Sequence, residues 1–318
     1  MTYLEEALHQ EAAVLRETLD LDVDAVAEVL RGAERVDLVG TGTSQHAVEL
    51  GAWMLRRCGL DARWWSSATA AREAKWRDDP VIVISHTGET AFARSVRDQV
   101  LRTGAARLIA LTGATADWPN ALRVAPREQS ETYTLSYTAA LLALAKIASR
   151  LGAPEFTDEA LSGAVDAVAE AAAAPSPDVS GEGEVVVTGA GPAAITAREG
   201  ALKLREAARV RAVGYEAEHL LHGSAVPLGA GDELILLQPA ADADGLVGAV
   251  GEAAATEAVA VHEVSVDTDL DPVLAQLPLT VRLQALASRL ATARGHDPDT
   301  VITGAWDDDR LWSLGAPD

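Results

Sequence analysis

An apolar, strand-like run that breaks into a glycine-containing turn and then a helix occurs twice in this chain, and that repetition restricts what it can fold into. The first copy runs from Arg35-Val36-Asp37-Leu38-Val39-Gly40 through Thr41-Gly42-Thr43-Ser44 into an amphipathic helix expected over 45–57. The second runs from Glu184-Val185-Val186-Val187-Thr188 through Gly189-Ala190-Gly191-Pro192 into a helix carrying Glu199-Gly200-Ala201-Leu202-Lys203-Leu204. Further strands are expected at 80–84, 107–113 and 123–124 in the first copy, and at 233–237 and 261–266 in the second. Strands alternating with helices across short glycine turns signal parallel α/β sheets. The expected fold is therefore α/β: two tandem three-layer αβα sandwiches with parallel sheets, related by internal duplication. A low-complexity stretch containing Pro175-Ser176-Pro177 reads as a linker. The expected organisation is an N-terminal helical arm over 1–30, a first domain over 31–170, a linker over 171–181 and a second domain over 182–318.

Charge and cysteine content narrow the functions. The formal net charge of -22 repels nucleic-acid phosphates, and no cluster of Lys and Arg overrides it. Nucleic acid is not an expected partner. The single cysteine, Cys58, excludes an intrachain disulfide framework and a multi-cysteine metal cluster, and favours a reducing cytoplasm. The amino terminus lacks the basic and apolar regions of a signal peptide, and no stretch is long and apolar enough to span a bilayer, so a soluble, cytoplasmic protein without a membrane partner is expected.

Chemistry concentrates after the apolar run Val81-Ile82-Val83-Ile84. There Ser85-His86-Thr87-Gly88-Glu89-Thr90 leads into the helix-like Ala91-Phe92-Ala93-Arg94. Hydroxyls and free backbone N–H groups where a helix begins stabilise an anion, which makes a phosphorylated small molecule the expected ligand. Ser85, Thr87 and Thr90 could equally cap the helix, since capping uses the same orphan N–H groups. The second copy differs: Gln238-Pro239-Ala240-Ala241-Asp242 occupies the corresponding place. Proline removes a donor and carboxylates repel phosphate, so one phosphate site per chain is expected. The turn Gly40-Thr41-Gly42-Thr43-Ser44 lacks the third glycine of a dinucleotide fingerprint, so no nicotinamide cofactor is expected. No cofactor of another kind is indicated, and no His–carboxylate spacing resembles a metal site.

Glu199, Lys203 and Glu206 recur at i, i+4 and i+7, which places them on one helix face. The plain reading is a solvated face with an i,i+4 ion pair. The functional reading is a carboxylate base beside an ammonium. His222, within Glu218-His219-Leu220-Leu221-His222-Gly223, is either a buried histidine satisfied by backbone or a catalytic one. His86 is expected to offer its backbone with the imidazole turned elsewhere, a cationic ring near phosphate being the alternative.

Taken in order, Gly42-Thr43-Ser44, Ser85 to Thr90, Glu199 to Glu206 and Glu218 to Gly223 resemble motifs of the sugar isomerase (SIS) family, specifically the isomerase half of glutamine:fructose-6-phosphate aminotransferase. Residues 4–19 resemble the helical arm that starts that half. The resemblance implies that Thr43, Ser44, Ser85, His86, Thr87 and Thr90 bind a sugar phosphate, and that Glu206 is the base, with Lys203 beside the reacting end. It further implies that His222 assists ring opening from the neighbouring subunit of a homodimer. No glutaminase domain and no cysteine near the amino terminus accompany these motifs, so glutamine-dependent synthesis is not expected of the chain. Two departures stand out: the tail carries no lysine after Asp299, and Ser224 and His86 replace the family's usual proline and glutamine. The implied activity is deamination of glucosamine 6-phosphate to fructose 6-phosphate and ammonia. The alternatives are aldose–ketose isomerisation of a phosphosugar without nitrogen chemistry, and a non-catalytic sugar-phosphate regulator.

Overall fold

In the computed structural model two wholly parallel sheets account for the duplicated pattern; residues 1–104, 107–266 and 269–317 are described, and Asp318, the last residue of the expected second domain, lies outside them. The first sheet comprises β1 (Arg35–Gly40), β2 (Asp61–Ser66), β3 (Val81–Ile84), β4 (Leu108–Gly113) and β5 (Leu122–Ala125) in the order β2-β1-β3-β4-β5. The second comprises β6 (Val185–Gly189), β7 (Ala212–Glu216), β8 (Glu233–Leu237) and β9 (Ala260–Val264) in the order β7-β6-β8-β9. The orders superpose strand for strand: β1 on β6, β2 on β7, β3 on β8 and β4 on β9. β2 and β7 are additions to the sequence reading. Both are edge strands, and Asp61, Arg63 and Trp64 of β2 are exposed, so neither shows the continuous apolar run that marks a buried strand.

Around the first sheet lie α2 (Asp24–Leu30), α3 (Thr43–Arg56), α4 (Ser67–Glu73), α5 (Ala91–Thr103) and α6 (Leu135–Arg150). Strand residues alternate between its faces. Val39, Val81, Val83 and Ala110 bury against Ala70, Ala71, Ala93 and Val96 of α4 and α5. On the other face Gly51 of α3 lets Leu144 of α6 and Leu38 of β1 approach; a Cβ there would sit 2.7 Å from Leu144 Cδ1. All four residues of β3 are buried because both faces are covered. The second sheet repeats this plan with α8 (Pro192–Ala208) and α11 (Gln276–Arg294) on one face, and α9 (Ala217–His219) and α10 (Leu246–Thr256) on the other.

The chain divides into two compact units that are not successive segments. The unit of the first sheet holds Ala13–Glu128, Leu135–Gly163 and Ile302–Asp318, including α12 (Asp309–Ser313); the unit of the second holds Met1–Ala12, Gln129–Thr134 and Ala164–Val301. Both α1 (Tyr3–Leu19) and α7 (Asp158–Ala173) therefore cross from one unit to the other. A sequential division at a linker over 171–181 does not describe this exchange, since pattern and composition do not register which sheet a terminal helix packs against. Nor is the stretch before β6 a loose connector. Glu233, buried at the start of β8, accepts bonds from Ser180 N and Gly181 N and from the Ser180 hydroxyl, and Arg289 donates to the carbonyls of Pro177 and Val179.

Candidate functional site

In each sheet the strands on either side of the first are reached in opposite directions, which creates a topological switch point between β1 and β3, and another between β6 and β8. In open parallel sheets ligands bind outside the carboxyl ends of the strands at such points. At the first, the turn after β1 and the loop after β3 meet these requirements. Gly40 lets the first turn of α3 close in: a Cβ there would lie 2.3 Å from Ser44 O. Gly42 takes φ 58°, and Thr43 and Ser44 open α3, half-buried. After β3, the Ser85 N–H is tied to Leu111 O at 3.1 Å, while its hydroxyl is buried without a hydrogen-bond partner. An unmet buried hydroxyl is costly and calls for a ligand or water. Thr87 Oγ1 accepts from Glu89 N at 3.1 Å, Gly88 takes φ 71°, and Thr90 is the N-cap of α5 yet makes no side-chain capping bond. The loop is also held from behind: Trp118 Nε1 donates to Gly88 O at 2.9 Å, and the Arg97 guanidinium lies over the Trp118 ring.

The second switch point is closed by the chain itself. Gly191 has nearly the backbone of Gly42, with φ 54°, and Gly189 makes room for Ala193 as Gly40 does for Ser44. After β8, however, Asp242 turns its carboxylate onto the start of α10 and accepts from Val247 N at 2.8 Å. The start of α10 thus carries a carboxylate of the chain itself, whereas the start of α5 has no bond from its N-cap side chain.

On α8 the three spaced residues form one cluster. Lys203 Nζ lies 2.6 Å from Glu206 Oε2 and 3.5 Å from Glu199 Oε1. The side chains of Lys203 and Glu199 are wholly inaccessible, whereas Glu206 keeps 20% of its exposure. The reading of a solvated face with an i,i+4 pair is therefore wrong for this helix, because burying an ammonium and a carboxylate carries a desolvation cost that surface pairs avoid. Such buried charge clusters concentrate at functional sites. Burial also orders the carboxylates: Glu199 is enclosed, and Glu206 is the one with a face open to solvent.

His222 is exposed, not a satisfied core histidine, and its Nε2 lies 2.7 Å from Glu218 Oε1. It falls in a distorted turn, Leu220–Ser224, where His222 has ψ 43° and Gly223 has φ 105°. His219 stacks on Tyr215 with ring centroids 5.7 Å apart. The seat residues Thr43, Ser44, Ser85, His86, Thr87 and Thr90 thus belong to one unit, and Lys203, Glu206 and His222 to the other. The structure joins Lys203 to Glu206 and pairs His222 with Glu218 instead. Trp118 is not legible in the sequence as a partner of Gly88, whereas Glu218 stands four residues before His222, at helical spacing. Trp118 is 30 residues from Gly88, and nothing local to either marks the contact. Among the described residues no group of three or more His, Cys, Asp or Glu is placed to hold a metal ion, and no helix is long and apolar enough to cross a membrane.

No protein-family model matches the chain. It is 26% identical to the glutamine–fructose-6-phosphate aminotransferase (isomerizing) of Sulfurisphaera tokodaii over 92% of this chain and 54% of that protein. The chain therefore spans about half the length of this curated relative. Its fold is shared with the tagatose-6-phosphate ketose/aldose isomerase of Escherichia coli, at 16% identity and TM-score 0.77, covering 96% of this chain and 98% of that one. It is also shared with the glucosamine-6-phosphate deaminase of Thermotoga maritima, at 18% identity and TM-score 0.76, covering 94% and 97%.

Proposed function

Because the chain is a SIS-fold protein related in sequence to the isomerase half of glutamine–fructose-6-phosphate aminotransferase, we propose that it is a phosphosugar enzyme that deaminates glucosamine 6-phosphate to fructose 6-phosphate and ammonia. The observation that carries the phosphosugar part is the contrast between the two switch points, one closed by Asp242 and one with an uncapped α5 and the unmet hydroxyl of Ser85. The phosphate takes the orphan N–H groups at the start of α5, where the helix dipole favours negative charge. Ser85, Thr87 and Thr90 supply hydroxyls around it, and Thr43 and Ser44 serve the sugar.

In the open-chain amino sugar, Glu206 removes the proton from C2, and the electron pair moves toward the C1 aldehyde to give an enol amine. The proton returns to C1, leaving an imine at C2; water adds there and ammonia departs, giving the ketose. Lys203, held by both carboxylates, supplies positive charge for the oxygen that becomes negative. Proton transfer by a positioned carboxylate contributes about 10²–10⁴-fold in rate. His222, oriented by Glu218, opens the ring, acting from the neighbouring copy of a homodimer. The same proton transfer without loss of nitrogen is aldose–ketose isomerisation, the activity that the name of the Escherichia coli neighbour gives.

The test is incubation of the purified protein with glucosamine 6-phosphate while ammonia and fructose 6-phosphate are assayed, beside a panel of aldose and ketose phosphates. Turnover of the amino sugar is expected, and Glu206→Gln abolishes it while leaving ligand binding in place. Turnover of a neutral phosphosugar alone replaces deamination by isomerisation, and silence on the whole panel defeats the enzyme reading.

A further inference from the structure

His86 stands inside the seat loop, yet its ring turns to the rear. The imidazole packs over Gly113 at the end of β4, where a Cβ would lie 2.6 Å from Cε1, and the His86 carbonyl accepts from Gly113 N at 2.8 Å. Its Nε2 accepts from the backbone N–H of Glu128 at 3.2 Å. Accepting there requires the neutral ring with its proton on Nδ1. Glu128 is fixed in turn, because its carboxylate accepts from Leu135 N at 3.1 Å and Ser136 N at 2.9 Å, closing the start of α6. The loop is thus braced through His86 to the first turn of a largely buried helix.

We infer that His86 is a positioning residue which, in its neutral form, holds the loop from Ser85 to Thr90 in phosphate-binding shape, so that protonating it weakens phosphosugar binding. This rests on the phosphate reading of the seat. A protonated ring presents N–H at Nε2 to the N–H of Glu128, replacing an attraction by a donor–donor conflict. The charged groups around the ring are Glu128 and Arg127 on the segment after β5; Gly113, against which it packs, brings none, and Arg127 also faces Glu89 of the loop at 3.9 Å. Burial pushes the imidazole below the usual histidine range, the Glu128 carboxylate opposes that and Arg127 adds to it. The release therefore falls below about pH 6.5, the ordinary histidine value.

The inference has a sign that separates it from a cationic ring contacting the phosphate, which would tighten binding on acidification. Binding of glucosamine 6-phosphate is measured by calorimetry from pH 8 to pH 5 in the wild type, His86→Gln and His86→Leu, with melting curves at each pH and Ser85→Ala as the control for the seat. The ligand's own ionisation acts on all of them alike, so the ratios between proteins are read. A glutamine oxygen can accept the Glu128 N–H at any pH. The affinity of His86→Gln relative to the wild type is expected to rise about five- to tenfold between pH 8 and pH 5, and folded His86→Leu to bind about five- to tenfold less tightly than the wild type at pH 8. Parallel pH profiles for wild type and His86→Gln, or a wild type that gains affinity relative to it on acidification, overturn the inference while Ser85→Ala still reports on the seat. If the wild type fails to bind at any pH, the seat reading falls, and this inference with it.

Discussion

Replacing Glu233 by glutamine tests how the segment before β6 is held. The buried carboxylate accepts at Oε1 from Ser180 Oγ at 2.7 Å and Gly181 N at 2.8 Å, from Ser180 N at 3.1 Å, and at Oε2 from His262 Nε2 at 2.9 Å. Glutamine keeps one oxygen, which best faces Ser180 and Gly181, and turns its amide to His262. What is lost is the charge on the bonds to Ser180 and Gly181, and charge-assisted bonds are roughly twice as strong as neutral ones worth about 1 kcal/mol. Relief from burying an anion returns part of that, leaving a loss of about 2 kcal/mol. A unit of this size moves about 2–4 °C per kcal/mol, so the melting point should fall by about 4–8 °C at pH 7. Burial opposes ionisation of Glu233, but the bonds from Ser180, Gly181 and His262 outweigh it and hold its carboxyl below the usual range. Its contribution is accordingly complete above about pH 4.5 and lost as pH falls through the lower folded value, so the gap between wild type and variant should close as the pH is taken below about 4.5. An unchanged melting point at pH 7, or a gap that persists in acid, would refute the reasoning.

Asp242→Ala removes the carboxylate from the start of α10 and should cost about 1 kcal/mol, read as a shift in urea midpoint without a change in slope. Gly88→Ala forces a side chain into φ 71° and places its Cβ 2.7 Å from Trp118 Nε1; glucosamine 6-phosphate binding should fall by more than about tenfold while the far-UV spectrum is kept. Mixing Glu206→Gln with His222→Ala proteins should restore some turnover if His222 serves the neighbouring subunit, and no recovery after proven subunit exchange counts against that.

The buried strands were legible because a strand covered on both faces reads as a continuous apolar run, as β3 does and as β8 does after Glu233. The edge strands were not, since Asp61 and Arg63 answer to solvent. The expected strand 261–266 runs from Ala260 to Val264, and the helix expected from Gln45 starts two residues sooner, at Thr43, because the φ of Gly42 lets the turn close directly into it. Spacing put Glu199, Lys203 and Glu206 on one face, but not that Glu199 and Lys203 are buried there: periodicity reports which residues share a side, not what covers that side. The loop from Ser85 to Thr90 stands out in the sequence by its hydroxyls, whereas the brace through Glu128 joins residues 42 positions apart and leaves no local mark.

The carboxylate of Asp242 at the start of α10 also sets a standard of competition. A group tethered a few residues from its site is present at an effective concentration of millimolar or more, whatever the metabolite content of the cell. A free phosphate ester would have to exceed that local concentration to displace it, and α10 therefore keeps one occupant through every swing in supply. The start of α5 has no such resident, so if it binds phosphosugar as proposed, its occupancy follows the pool while that of α10 does not.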